Sequence, residues 1–210
     1  MILKDVVINE VSNSLLRLAT AVVLLTFTLL QNAYAGIVQL PQTGQKACYD
    51  QSGTQIPCAG TKQDGELQQG LAPPTPRFTD NNDGTVTDNL TGLIWLRQAN
   101  CYALQFWSDA LSLAKNLHSG MCDLSDLSVA GDWRLPNILE LESLVDISNI
   151  NPALPTGHPF RNVQTSGYWS STTNAFHILR ARYVYMPDGA VNGSDKATAT
   201  HFVWPVRGGR

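Results

Sequence analysis

The residues of this 210-residue chain that could carry chemistry are four histidines, four cysteines and seventeen carboxylates. No Gly-x-Ser-x-Gly elbow sets up a serine nucleophile, and no His-Glu-x-x-His pair offers a helical metal site. The histidines (His118, His158, His177 and His201) are scattered along the chain and read as surface or strand residues rather than general bases. The carboxylate pairs Glu140/Glu142 and Asp123/Asp126 lie where solvated faces or helix caps are expected. Asp80, Asp83 and Asp88 invite a calcium reading, yet Gly84 falls one place too early for the alternating oxygen ligands of an EF-hand. A hairpin turn at Asp83-Gly84 accounts for the same residues. No enzyme is expected, and neither a catalytic residue, a cofactor nor a metal is assigned.

Binding chemistry has more to build on. The net charge of −3 conceals an asymmetry: residues 36–160 hold six Lys and Arg against thirteen Asp and Glu, whereas residues 161–210 hold six against two. A basic C-terminal segment can attract anions, and guanidinium groups pair bidentately with sulfate or carboxylate. The candidate ligand-binding residues are therefore Arg161, Arg180, Arg182, Tyr183, Lys196 and Arg207. A solvated basic surface would explain the same charges. No nucleic-acid partner is expected.

The cysteines Cys48, Cys58, Cys101 and Cys122 contain no C-x-x-C pair, which argues against zinc. An even count points to disulfides in an oxidising compartment. Four cysteines allow three pairings; the local ones, Cys48–Cys58 and Cys101–Cys122, close the shortest loops and are favoured. Export is also indicated at the N-terminus. Leu18 to Leu30 is an uncharged, mostly apolar run, preceded by Lys4 and Arg17 and followed by Ala33-Tyr34-Ala35. This reads as a signal peptide over residues 1–35, too short for a comfortable membrane span, and no later segment could cross a membrane. The protein is expected outside the cytoplasm: periplasmic, cell-surface or extracellular.

The elements that must position these residues follow from the patterning. Residues 36–76 are rich in Gln, Gly, Thr and Pro and read as a disulfide-stapled hairpin turning at Ser52-Gly53, with a stiff Pro-rich linker into the main domain, residues 77–210. Phe78 to Arg97 reads as β in character, with a tight turn over Thr79–Gly84 centred on Asp83-Gly84, a strand at Thr85–Asp88, a second turn at Asn89–Gly92 and a short buried strand at Leu93–Leu96. Phe106 to Leu117 reads as an amphipathic helix with Phe106, Ala110, Leu113, Ala114 and Leu117 on one face, stopped at Gly120. In Gly131-Asp132-Trp133-Arg134-Leu135-Pro136-Asn137, Pro136 holds Leu135 extended. Asn137 then reads as an N-cap in a capping box with Glu140, and the helix that follows should run to about Asp146 with Ile138, Leu141, Leu144 and Val145 on its apolar face. Strands are expected at Tyr168–Thr173, Phe176–Tyr185 and His201–Arg207, with turns at Pro187–Gly189 and Asn192–Ser194. Pro205 should leave the last strand with an unpaired position or place it at an edge. Strands, two helices, then strands describe an α+β domain.

Read in order, Phe78–Asp88, Thr91–Trp95, Gly131–Pro136, Glu140–Asp146, Tyr168–Thr172 and Val206–Gly209 resemble the Lcl C-terminal domain family. That family is named for a bacterial collagen-like adhesin. The resemblance, over roughly residues 77–209, implies a C-type-lectin-like fold related to that of formylglycine-generating enzymes. Such a fold has small twisted antiparallel sheets, two flanking helices and pairing of the N- and C-terminal strands. It also implies an envelope or secreted protein and, for the founding member, binding of sulfated glycans as a trimer, hence a homo-oligomer by analogy. Met186-Pro187-Asp188 keeps only the last two residues of the calcium loop of true C-type lectins, and the oxidase chemistry of the related enzymes would need cysteines after Cys122. Trp95, Trp133, Trp169 and Trp204 lie inside the family motifs and read as core. Two functions stay open: a non-enzymatic module recognising glycans or another surface ligand in adhesion, or a structural, protein-interacting subunit of an envelope assembly.

Overall fold

A computed structural model of the protein describes residues 40–208; the signal-peptide segment lies outside them. No helix among the described residues is long and apolar enough to cross a membrane. The fold is α+β, with three small antiparallel sheets, few helices and two disulfides.

The stapled hairpin consists of β1 (Cys48–Tyr49) and β2 (Gln55–Ile56), closed by Cys48–Cys58. Asp50 sets its turn by accepting the amides of Ser52 and Thr54. A helical turn not anticipated from sequence, α1 (Asp64–Leu67), packs on it. Gly65 makes that approach possible, since a Cβ there would lie 2.4 Å from the Ala47 carbonyl oxygen.

The main sheet orders β3 (Phe78–Asp80), β4 (Thr85–Asp88), β5 (Ile94–Leu96) and β9 (Val206–Arg207), all antiparallel. Gly84 holds the β3–β4 turn at φ +88°, where a Cβ would strike the Asp123 carbonyl. Two ion pairs pin this sheet, one buried and one partly exposed. Asp88, fully buried, takes the Arg77 guanidinium in a fork of 2.8 and 2.9 Å and also accepts the Leu90 amide. Asp80 takes Arg97 at 3.0 Å. The expected last strand, His201–Arg207, is ladder-paired only at Val206–Arg207. His201 and Phe202 make single bridges to Gln105 and Tyr168 instead, and Pro205 follows with no amide to donate.

The second sheet orders β6 (Gly167–Thr173), β7 (Arg180–Tyr185) and β8 (Ala190–Asp195). It corrects two sequence expectations. Phe176–Leu179 is a loop, because the Asn174 side chain accepts the amides of Phe176 and His177 and offers the backbone a turn in place of a ladder. Asn192-Gly193-Ser194 is not a turn but the middle of β8, in unbroken register with Tyr183, Arg182 and Ala181. Gly193 fits because Asn174 occupies the space beside it, 3.3 Å from where a Cβ would stand. The separate turn expected at Pro187–Gly189 is kept, with Gly189 at φ +79° and its amide donating to the Tyr185 carbonyl.

Two helices flank the sheets. α2 (Trp107–Asn116) buries Ala110 and Ala114, followed by Leu117, and Cys101–Cys122 brackets it. Phe106 does not join that face; it is the N-cap residue and is exposed, while Trp107 and Leu111 pack inward. α3 (Ile138–Glu142) starts with the expected capping box but ends four residues short of Asp146. Its end is fixed by Arg77, which draws off the Ser143 carbonyl, and by the Ala153 carbonyl, which takes the Asp146 amide. Leu141 and Leu144 are buried, with Ile138 and Val145 packed against them.

All four motif tryptophans are core, none more than 1% exposed. Trp204 donates to the Leu96 carbonyl and meets Phe160, Tyr168 and Trp95 at centroid distances of 4.8–5.9 Å. Trp133 donates to Ser128 and lies under the Arg207 guanidinium at 5.1 Å. Beside it, Arg134 forks onto Glu140 with two 2.7 Å bonds. Burial opposes ionisation of Glu140, yet the Arg134 fork and the Asn137 amide hold its carboxyl below the usual range. The Trp133 segment is therefore scaffold, tying β9 to α3.

Candidate functional site

The six candidate ligand residues do not form one patch. Arg161 lies in the loop between α3 and β6, its backbone paired with Arg97 and Ala99 beside β5. Arg207 is committed to the scaffold, paired with Asp126 at 3.1 Å and stacked on Trp133. Arg180, Arg182 and Tyr183 lie on β7, where strict alternation splits them, and Lys196 directly follows β8. Arg180 and Arg182 share one face with Val184, opposite Asp195 and Gly193. Tyr183 shares the other face with Ala181, opposite Asn192 and Ser194.

That second face is where side chains of binding character come together. Its floor is the core cluster of Ala110, Ala114, Leu135, Trp169, Ala181 and Val203, and Trp107 and Tyr183 pack over it. Lys196 stands over Trp107, its ammonium 4.2 Å from the ring centroid and 2.8 Å from the Thr173 hydroxyl. Cation–π contact and a hydrogen bond thus hold a cation in place on an aromatic plate. Trp107 is itself fixed by donating to the Ser170 carbonyl at 2.8 Å. His201 stacks on Tyr183 at 4.0 Å and abuts Trp169 edge-on at 4.4 Å. Its Nε2 meets the Ser194 hydroxyl at 2.9 Å. Gly167 is needed beneath the ring, since a Cβ would come within 2.4 Å of His201 Nδ1.

Burial of His201 pushes its pKa from 6.5 down to about 4, so at neutral pH the ring is uncharged and serves as a stacking and hydrogen-bonding plate. Lys196 is then the cation of this face. With Asn192, Ser194 and Thr173 as hydrogen-bonding groups, the face combines aromatic plates, neutral polar groups and one positive charge.

A family model of the Lcl C-terminal domain matches residues 84–207. The chain belongs to the Lcl C-terminal domain family. The match begins at the turn glycine Gly84 and ends at Arg207, so it takes in the whole β6–β7–β8 sheet, both flanking helices and the Trp133 segment. No curated protein matches the sequence. Of the sequence candidates, Tyr183 and Lys196 are on the aromatic face of this Lcl C-terminal domain. Trp107 and His201 join them without having been assigned. The opposition of Tyr183 to the two arginines was readable from the period-two alternation of Arg180–Tyr183; the arrival of Trp107 from α2 was not, because it depends on how the helix docks.

Proposed function

We propose that this Lcl C-terminal domain is an exported, non-enzymatic binding module of C-type-lectin-like fold that recognises glycans, anionic ones above all. The observation that carries the reading is the convergence of Trp107, Lys196, Tyr183 and His201 on one face of the second sheet. Aromatic plates pack against the apolar faces of sugar rings while hydroxyl and amide groups meet the ring hydroxyls. A lysine held at a fixed point supplies the partner for a sulfate or carboxylate.

The fold proposal is supported by the two small antiparallel sheets with flanking helices, and by the return of β9 to the sheet begun by β3. Two disulfides and the signal-peptide pattern at the N-terminus support export. The test is an array of neutral, carboxylated and sulfated glycans read at low and high salt. An anionic ligand should be retained at low salt and weaken as salt screens Lys196. An array on which no glycan binds at low salt would remove the proposal.

A further inference from the structure

Between β6 and β7 the chain raises a short loop that displays large apolar side chains to solvent. Phe176 is 88% exposed, Ile178 70% and Leu179 74%. Their backbone is tied down at several points. Asn174 accepts the Phe176 and His177 amides at 3.1 and 3.3 Å, Arg180 donates to the His177 carbonyl at 2.8 Å, and Lys196 donates to the Leu179 carbonyl at 3.0 Å. Asn174 itself is buried against Gly193. The fold thus holds these side chains outward, and contiguous exposed apolar groups of this size mark interaction sites.

The charges around the base indicate the partner. Arg180 and Arg182 leave β7 on one face, while Lys196 stands on the other. The acidic group among them, Asp195, lies opposite Arg180, and backbone amides of Ala197 and Thr198 hold its carboxyl below the usual range. The surround keeps an excess of two positive charges. The tip and Arg180 bound a depression of about 390 Å³ with Asp195 on its far side. Three side chains expose at most about 500 Å², well short of the roughly 800 Å² per partner that a stable protein–protein contact needs. A convex apolar finger ringed by cations instead matches an anionic lipid surface, where apolar groups enter the headgroup–acyl boundary and basic groups meet phosphates.

We propose that the loop Asn174–Leu179 docks the domain on anionic lipid bilayers, with Phe176, Ile178 and Leu179 inserted at the interface and Arg180, Arg182 and Lys196 meeting the headgroups. The occupant is a lipid surface, and Lys196 is the one residue it shares with the glycan face. The experiment is hydrogen exchange on the full chain with vesicles of phosphatidylcholine alone or mixed equally with phosphatidylglycerol. Reading exchange at the loop itself separates it from any binding by the apolar N-terminal segment. Amides of residues 175–180 should gain protection with the anionic vesicles and lose it as salt rises. Replacing Phe176, Ile178 and Leu179 by Ser should weaken that protection roughly tenfold or more, since burial of even one large apolar side chain carries about that factor. The substituted positions are exposed, so an unchanged thermal midpoint is expected for the variant. Loop amides that exchange equally with and without anionic vesicles would overturn the proposal, as would a triple variant protected like the parent. Protection that grows with protein concentration and needs no vesicles would overturn it in favour of a second copy of the chain.

Discussion

His201 should make the stability of this domain depend on pH in a range where few other groups titrate. Its pKa lies at about 4 in the fold, against 6.5 for an unperturbed ring, because it is stacked on Tyr183 and pressed against Trp169. A depressed histidine favours folding while it is neutral. Its contribution is therefore full above about pH 6.5 and is lost as pH falls towards 4, where the unfolded chain binds the proton and the folded one does not. At 1.36 kcal/mol per unit the shift amounts to about 3 kcal/mol. The ring is only partly buried, so screening reduces the expected loss to roughly 2 kcal/mol. Carboxylates held low in the fold, such as Asp80 and Glu140, act lower, below about pH 4.5. The remaining contributor is His158, whose pKa burial also depresses. The assay is urea unfolding between about pH 7 and pH 4.5 on the parent, His201→Gln and His158→Gln. The His201 variant should be less stable at neutral pH but should lose about 2 kcal/mol less than the parent on acidification. A His201 variant with the same pH slope as the parent would refute the burial of a neutral ring at this site.

Further expectations concern the scaffold. Asp88→Ala leaves the Arg77 guanidinium, 12% exposed, without its partner and should cost about 3–5 kcal/mol in denaturant unfolding. Glu140→Gln breaks the fork with Arg134 and half of the capping box; a loss of about 1–3 kcal/mol is expected by the same assay. Replacing Cys101 and Cys122 by Ser opens a loop with a sequence separation of 21 and should lower stability by about 3 kcal/mol on the chain-entropy account. The effect is read as the difference from the parent under oxidising conditions.

The parts of the fold legible in the sequence were those in which a local signal and the tertiary structure agree. Pro136, Asn137 and Glu140 specify an extended piece and a capped helix start using residues within four positions of each other, and the structure keeps both. The short loops between Cys48 and Cys58 and between Cys101 and Cys122 likewise marked the two disulfides. Where distant partners decide, local signals misled. Asn192-Gly193-Ser194 has the composition of a turn, but pairing with β7 along its whole length keeps it extended. Phe176–Leu179 misled for a local reason: it has the composition of a strand, but Asn174, two and three residues before, captures the Phe176 and His177 amides. The candidate site shows the same division. Composition marked a basic C-terminal segment, yet charge counting carries no information on direction, so side chains on opposite faces of β7 and on the Trp133 scaffold were grouped together. The aromatic face needs α2 docked across β6, a contact between residues more than sixty positions apart: Trp107 Nε1 to the Ser170 carbonyl.

The central claim is that ligand recognition belongs to the face of Trp107, Lys196, Tyr183 and His201 and not to the basic segment as a whole. It is tested most directly by titrating the strongest array glycan into three forms of the protein: the parent, Lys196→Gln and the double variant Arg180→Gln/Arg182→Gln. Removing Lys196 should weaken binding of an anionic glycan roughly tenfold or more, as expected for the loss of one charge-assisted contact, while the double arginine variant should bind like the parent. Equal affinity of Lys196→Gln and the parent, with binding lost in the arginine variant, would contradict the account.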